Sequence, residues 1–265
     1  MTQVNRKNVV VLFMAIAVVA WLLFVLPGEF VVLSPGPLFD AGQVVSVKAH
    51  PSPGPGKILV ATVQVQFPSW VTLLRAAFDP RDQVTWKTSV IPAGMSVAEF
   101  EEKARRQMVQ AQNDAVAAAR AYLHERGIVD DSAVVGQDIS FGLQDVGGPS
   151  AGLALALQIV SDYMGRDLTG GRVVVVTGAI GAAGNVMAVG GVAIKARAAA
   201  EASAALMLVP AAEVNEVGSQ AGKVRVVGVS SLDQAVAALR AAGGSVCPEG
   251  WLGRGVCLVD TGHVW

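Results

Sequence analysis

An uninterrupted apolar run near the N-terminus restricts this chain more than any other feature. Val9 to Leu26 contains 18 residues and no charged or polar group apart from one tryptophan ring. A helix needs ~20 residues to cross a ~30 Å hydrocarbon core. The run therefore predicts a transmembrane anchor over residues 9–26. Arg6 and Lys7 precede it, and positive charge is retained on the cytoplasmic side, so residues 1–8 are predicted to form a cytoplasmic stub.

A cleaved signal peptide is the alternative interpretation of this run. The anchor is favoured because no small-x-small cleavage site follows the apolar residues. The expected location is then the cell membrane, with a single pass, a cytoplasmic N-terminus and an extracytoplasmic body. An oxidising compartment would allow a disulfide between Cys247 and Cys257 in the tail, residues 244–265, although free thiols stay open as the alternative.

Charge and motifs exclude several classes of partner. The net charge is −1 and the basic residues form no stripe, so nucleic acid is not expected as a partner. The sequence contains neither a G-x-x-x-x-G-K-[ST] phosphate loop nor a Cys-x-x-Cys pair. No cofactor and no metal site are therefore predicted.

The body of the chain predicts an α/β (α+β) fold. From Pro149 onward helical and strand patterns alternate, which is typical of this class. Helices are predicted over residues 150–163, 192–205 and 231–242, and buried strands over 172–177, 206–209 and 224–229. Earlier in the chain, Gln43–Ala49 and Ile58–Phe67 are predicted to pair as a β-hairpin, and a long helix is predicted from Ser96 to about Glu125.

A glycine-rich turn marks a candidate nucleophile. In the segment Gly147–Gly152, Ser150 stands where a strand gives way to a helix. Glycines permit a sharp turn there, and Pro149 stiffens its approach. The unpaired N–H groups of the first helical turn and of the turn before it could hold a developing oxyanion. An ordinary N-cap serine is the alternative.

Lys195 is the candidate base. At about 100° per residue it shares a helix face with Val192 and Ala199, so it is predicted to point toward the core. Burial disfavours the charged amine, and a neutral amine can accept a proton from serine. A lysine that extends from the apolar edge into solvent is the alternative. Thr177, at the end of the VVVVTG strand, could hold the amine or simply bond backbone.

Three ordered motifs resemble the proteolytic domain of Lon proteases. The G-P-S-A-G motif corresponds to Gly148–Gly152 and includes Pro149 and Ser150. The T-G motif corresponds to Thr177 and Gly178. The final motif, G-G-[VI]-x-x-K, ends at Lys195. The resemblance implies a Ser–Lys dyad of Ser150 and Lys195, in which Gly148, Pro149, Thr177 and Gly178 support the site.

The sequence is most similar to the bacterial membrane-anchored PDZ–Lon proteins. The resemblance rests on the N-terminal anchor, the following SPGP segment and a Gln–Ala-rich helix. It implies a Lon-type domain over residues 28–243 that includes the hairpin and the long helix. Residues 127–138 occupy the place of the PDZ domain and are too few to form one.

The resemblance implies an ATP-independent serine endopeptidase that acts on protein or peptide substrates outside the membrane. It also implies a homo-oligomer, with six subunits common in the family. A non-catalytic scaffold and a self-processing protein are the alternatives, and the missing PDZ segment motivates the former.

Overall fold

The computed structural model describes residues 6–48, 53–129, 138–142 and 146–243. The chain divides into two compact units, one made of Met1–Ser34 with Gln64–Val97 and the other of Pro35–Val63 with Ala98–Trp265. The helices are α1 (Arg6–Val25), α2 (Ala41–Val44), α3 (Trp70–Phe78), α4 (Val97–Glu125), α5 (Gly152–Met164), α6 (Val192–Glu201), α7 (Val214–Val217) and α8 (Leu232–Ala241). The strands are β1 (Phe30–Pro35), β2 (Phe39–Asp40), β3 (Val45–Val47), β4 (Lys57–Val60), β5 (Val63–Gln66), β6 (Gln83–Trp86), β7 (Ile139–Phe141), β8 (Val173–Val176), β9 (Ala179–Ile180), β10 (Val186–Met187), β11 (Leu206–Pro210) and β12 (Arg225–Val229).

A five-stranded sheet organises the second unit. Its order is β12-β11-β8-β4-β2, in which the first four strands are parallel and the edge strand β2 is antiparallel. The central strand β8 reads VVVV, and β-branched side chains suit a strand buried on both faces. The predicted alternation of helices and strands in this half of the chain is confirmed.

Helix α5 lies in the core of this unit. Every residue of α5 is buried except Tyr163, which is partly buried, and the exposed Gly165 follows the helix. Its first half, Gly152–Leu157, is apolar on every side, and helical segments of this kind are buried. Gly165 ends it in the left-handed conformation with φ 61°, a common helix C-terminus. Because α5 begins directly after Ser150, its burial fixes the position of the candidate nucleophile.

The predicted hairpin is wrong. Strand β3 pairs with β7, whereas β4 pairs with β2 and β8. The apolar segment from Ile58 to Phe67 is divided between β4 and β5, which belong to different sheets. The sequence pattern identified strand-forming residues but not their partners. Strand β4 lies between β8 and β2, where its Ile58 and Val60 are buried.

The first unit holds the three-stranded sheet β5-β1-β6 and helices α1 and α3. Ser69 caps α3 by accepting a hydrogen bond from the Thr72 N–H. Helix α1 covers most of the apolar run. Among the residues that the structure describes, no helix satisfies the length and apolarity needed to cross a membrane. The anchor stays a prediction from the sequence, and tail residues 244–265 with Cys247 and Cys257 lie outside the described residues.

Candidate active site

Ser150 lies in a single 3-10 turn, Pro149–Ala151, that leads directly into α5. Gly148 precedes it with φ 90°, a conformation that favours glycine. A Cβ at Gly147 would come within 2.7 Å of the Ala104 Cβ on α4. The two glycines therefore let the serine turn approach the long helix closely, which is a steric reason for the G-G-P-S sequence.

One N–H that the sequence offered for an oxyanion is already engaged. The Gly148 N–H donates to the Ala104 carbonyl oxygen at 2.8 Å. This bond fixes the turn against α4 and removes that N–H from the set that could face a substrate. The expectation that the Gly147–Pro149 turn contributes donors is thus wrong for Gly148.

Lys195 points inward, as its helix pattern predicts. Its side chain is 3% exposed, and its neighbours on the same face, Val192 and Ala199, are buried too. Gly191 caps α6 with φ 71°, and a Cβ there would lie 2.9 Å from a Val63 methyl group. Because glycine at this position allows close packing, α6 can bring Lys195 under the surface.

Burial changes the acidity of Lys195. Loss of solvation disfavours the ammonium form and lowers the pKa of Lys195 from 10.5 to about 8, while the carboxylate of Glu213 opposes this by raising it. At pH 7 about one amine in ten is then neutral, compared with well under one in a thousand for an exposed lysine. The site therefore maintains a usable fraction of the proton-accepting form.

The dipeptide Thr177–Gly178 connects the lysine with the serine turn. The Lys195 Nζ donates to the Thr177 Oγ1 at 3.1 Å, and Thr177 is fully buried. The Gly178 N–H donates to the Ser150 carbonyl oxygen at 3.0 Å, and the Leu153 N–H donates to the Gly178 carbonyl oxygen at 3.0 Å. Two consecutive residues thus hold the lysine side chain and the serine backbone, so Ser150 and Lys195 lie at one place in the fold.

The Ser150 hydroxyl itself is not joined to the lysine. Within the described part of the chain, no hydrogen bond links the Ser150 Oγ to the Lys195 Nζ. Ser150 is partly exposed, whereas Lys195 is buried. The Ser150 backbone and the Lys195 amine are therefore both bonded to the Thr177–Gly178 segment, but the serine hydroxyl and the amine are not hydrogen-bonded to each other.

Glu213 is a residue that the sequence analysis missed. It is 6% exposed, and its Oε2 accepts a hydrogen bond from the Val189 N–H at 2.8 Å. Burial raises the pKa of Glu213, and Lys195 nearby lowers it. Glu213 follows β11 closely, as Thr177 follows β8, and the carboxyl ends of parallel strands meet at one sheet edge. The position of Glu213 just after a strand could have identified it from the sequence, but only if β8 and β11 had been known to be neighbours.

A comparison with protein-family models gives a match over part of the chain. Residues 108–239, just under half of the chain, match the family model of the Lon protease (S16) C-terminal proteolytic domain. This range includes Ser150, Thr177, Lys195 and Glu213. The match supports a Lon-type protease domain and serine protease activity in this part of the chain. The curated proteins give no significant match.

Proposed function

We propose that the protein is an ATP-independent, membrane-anchored serine endopeptidase that uses a dyad of Ser150 and Lys195. The Ser150 Oγ attacks the scissile carbonyl carbon, and the Lys195 amine accepts the serine proton. The resulting ammonium then protonates the leaving amine, and water hydrolyses the acyl-enzyme. The observation that carries the proposal is the buried Lys195 amine bonded to Thr177 beside the serine turn.

In this proposal, the hydrogen bond between the Ser150 hydroxyl and the Lys195 amine forms only when substrate binds. A hydroxyl at a helix start can change rotamer without moving its backbone. The backbone bonds between Gly178, Ser150 and Leu153 hold the serine turn, so we expect the side chain to move rather than the turn. Substrate in the site would exclude water and favour the rotamer in which the Ser150 hydroxyl donates to the neutral amine.

The oxyanion is proposed to be held at the start of α5. Helix N-termini carry unpaired N–H groups and the positive end of the helix dipole. The Gly152 N–H already donates to the Pro149 carbonyl oxygen, so the Ser150 N–H is the donor proposed to face the developing charge. The Gly148 N–H has no part in this step because it donates to Ala104.

The location and assembly are also proposals. The proposed anchor is supported by the uncharged run Val9–Leu26, and the basic residues before this run favour a body outside the cytoplasm. ATP independence rests on a sequence without a phosphate loop. A homo-hexamer is proposed from the Lon resemblance, and light scattering on the solubilised full chain would refute it by giving a monomer mass.

Casein hydrolysis by the full chain in detergent, without ATP, tests the chemistry. Ser150→Ala and Lys195→Met are expected to abolish hydrolysis. Ser140→Ala and Lys223→Met, at exposed positions, are the matched controls and should retain it. Activity that survives in both site variants would show that the chemistry lies on other residues.

An inactive wild type would favour the alternatives, which the same preparations separate. A scaffold predicts that no serine-directed acylating probe labels Ser150. A self-processing protein predicts a cleaved form that accumulates in wild type and is missing in Ser150→Ala.

A further inference from the structure

Helix α3 exposes its largest apolar side chains. Phe78 is 82% exposed, Val71 78% and Leu74 64%. At about 100° per residue these three lie within about 60° of one another on the helix surface. The residue that α3 buries is the small Ala76, on the opposite side. A helix packed on a soluble domain shows the reverse pattern, with its large apolar residues inward.

Two large apolar side chains on the segments that precede or contact α3 are also exposed. Helix α3 packs against β6, where Trp86 is 57% exposed. Phe67, just before α3, is 50% exposed, and the Lys87 amine lies 5.9 Å from its ring centre. We call the side chains of Phe67, Val71, Leu74, Phe78 and Trp86 the outward apolar surface. Five large apolar side chains exposed on α3 and on the segments next to it exceed the scattered single exposure that is usual for a soluble domain.

The same unit carries helix α1, and this points to the occupant. The side chains described in α1 from Val10 to Trp21 are also apolar and exposed. Only the turn Leu26–Glu29 separates α1 from β1, and this turn contacts Lys87–Ser89. The first residue of β1, Phe30, stacks on Trp86 with 4.5 Å between ring centres. Trp86, one member of the outward apolar surface, thus lies beside the strand that follows α1.

We propose that the outward apolar surface inserts into the interfacial layer of a lipid bilayer beside α1. One lipid phase covers both α1 and this surface, whereas a protein partner would have to cover two separate elements. Tryptophan and phenylalanine favour the headgroup level of a bilayer. Arg75 and Lys87 lie next to these residues and can pair with lipid phosphates. The inference rests on the proposed membrane association of α1.

Site-specific labels on the full chain test the insertion. In a Cys247→Ser, Cys257→Ser background, single cysteines replace Val71, Phe78, Ile16 on α1 and Lys223, an exposed residue of the other unit. Each carries a polarity-sensitive fluorophore, and the protein is reconstituted in vesicles of phosphatidylcholine and phosphatidylglycerol. The quencher is bromine, placed on the acyl chain either near the glycerol or near the chain end.

The labels at Val71 and Phe78 are expected to be quenched at least about twofold more strongly than the Lys223 label. The shallow bromine should act best on them, because interfacial side chains enter only ~5–10 Å. The Ile16 label should respond most to the deep bromine. These substitutions are at exposed positions, so the fold should tolerate them.

The outcomes separate the two proposals. If Ile16 is quenched and Val71 and Phe78 are not, the inference fails while the anchor stands. If Ile16 is unquenched, the anchor is refuted and the inference with it. Blue-shifted emission at Phe78 that depends on protein concentration and not on bromine would identify a second copy as the occupant, and would also overturn the inference.

Discussion

The hydroxyl of Thr177 offers the sharpest test of the proposed site. Thr177→Val removes one hydroxyl and keeps the shape of a fully buried side chain. The Lys195 Nζ then loses the oxygen that accepts its hydrogen bond at 3.1 Å. A hydrogen bond to a charged group contributes about 1.5–3 kcal/mol, which corresponds to about a tenfold to hundredfold fall in kcat/KM. The fall should appear in kcat, because Thr177 contacts the base and not the substrate.

The assay is steady-state hydrolysis of an unstructured protein by the full chain in detergent, over a range of pH. Thr177→Ser restores the hydroxyl and should remain within about threefold of wild type. Thr169→Val is the matched control, because Thr169 is also buried and its hydroxyl donates to Asp167 away from this site. It should lower the melting temperature without lowering kcat. Wild-type kcat and an unchanged pH profile in Thr177→Val would refute the role of Thr177 in orienting Lys195.

Three further predictions concern ionisation. In wild type, kcat/KM should rise with pH and level off above a pH of about 8, where Lys195 is neutral. Glu213→Gln should move this rise to lower pH because it removes the carboxylate that raises the Lys195 pKa. A rise at the same pH in both proteins would contradict the interaction between Glu213 and Lys195. Lys195→Met should abolish activity yet raise the melting temperature at pH 7. Because the folded protein has the lower Lys195 pKa, the unfolded chain binds more protons between about pH 8 and 10.5, and below this window the lysine reduces wild-type stability by at most about 3 kcal/mol. A melting temperature below that of wild type at pH 7 would count against this. Burial raises the pKa of Asp162 from 3.8 to about 7, so the contribution of this residue to stability is complete below pH 3.8 and is lost as pH rises through 7. Asp162→Asn keeps an oxygen for the Gln158 amide and should make the melting temperature depend less on pH between pH 4 and 8. An equally steep decline of the melting temperature in the variant would refute this prediction.

Local patterns predicted much of the second unit. Helix α6 was recognised with its inward face, and Lys195 is buried on that face as expected. The strands β8, β11 and β12 match the apolar runs that predicted them. The helix predicted over residues 231–242 corresponds to α8, and the Ser231 Oγ accepts a hydrogen bond from the Gln234 N–H at its start. These features depend on neighbours a few residues apart in the chain, which a sequence displays directly.

Pairing between distant segments was beyond the sequence. The segment from Ile58 to Phe67 reads as one strand, yet β4 joins the sheet that contains β8 and β5 joins the sheet that contains β1. Similarly, the residues around Gly148 do not indicate that its N–H donates a hydrogen bond to the carbonyl oxygen of Ala104, which lies 44 positions earlier. Such choices are made by competition among many apolar runs of similar character, and local propensity does not rank them.

The sequence by itself determined the chemistry that the site can attempt. It supplied a serine at a glycine-rich helix start, a lysine on an apolar helix face and a threonine at a strand end, in an order that resembles Lon proteases. Only the tertiary structure decided that the Lys195 amine meets Thr177, that Gly178 bonds the serine turn, and that Glu213 comes close enough to raise the lysine pKa. The physical reason is that a pKa depends on solvent exclusion and on nearby charges, and both arise when distant segments pack together.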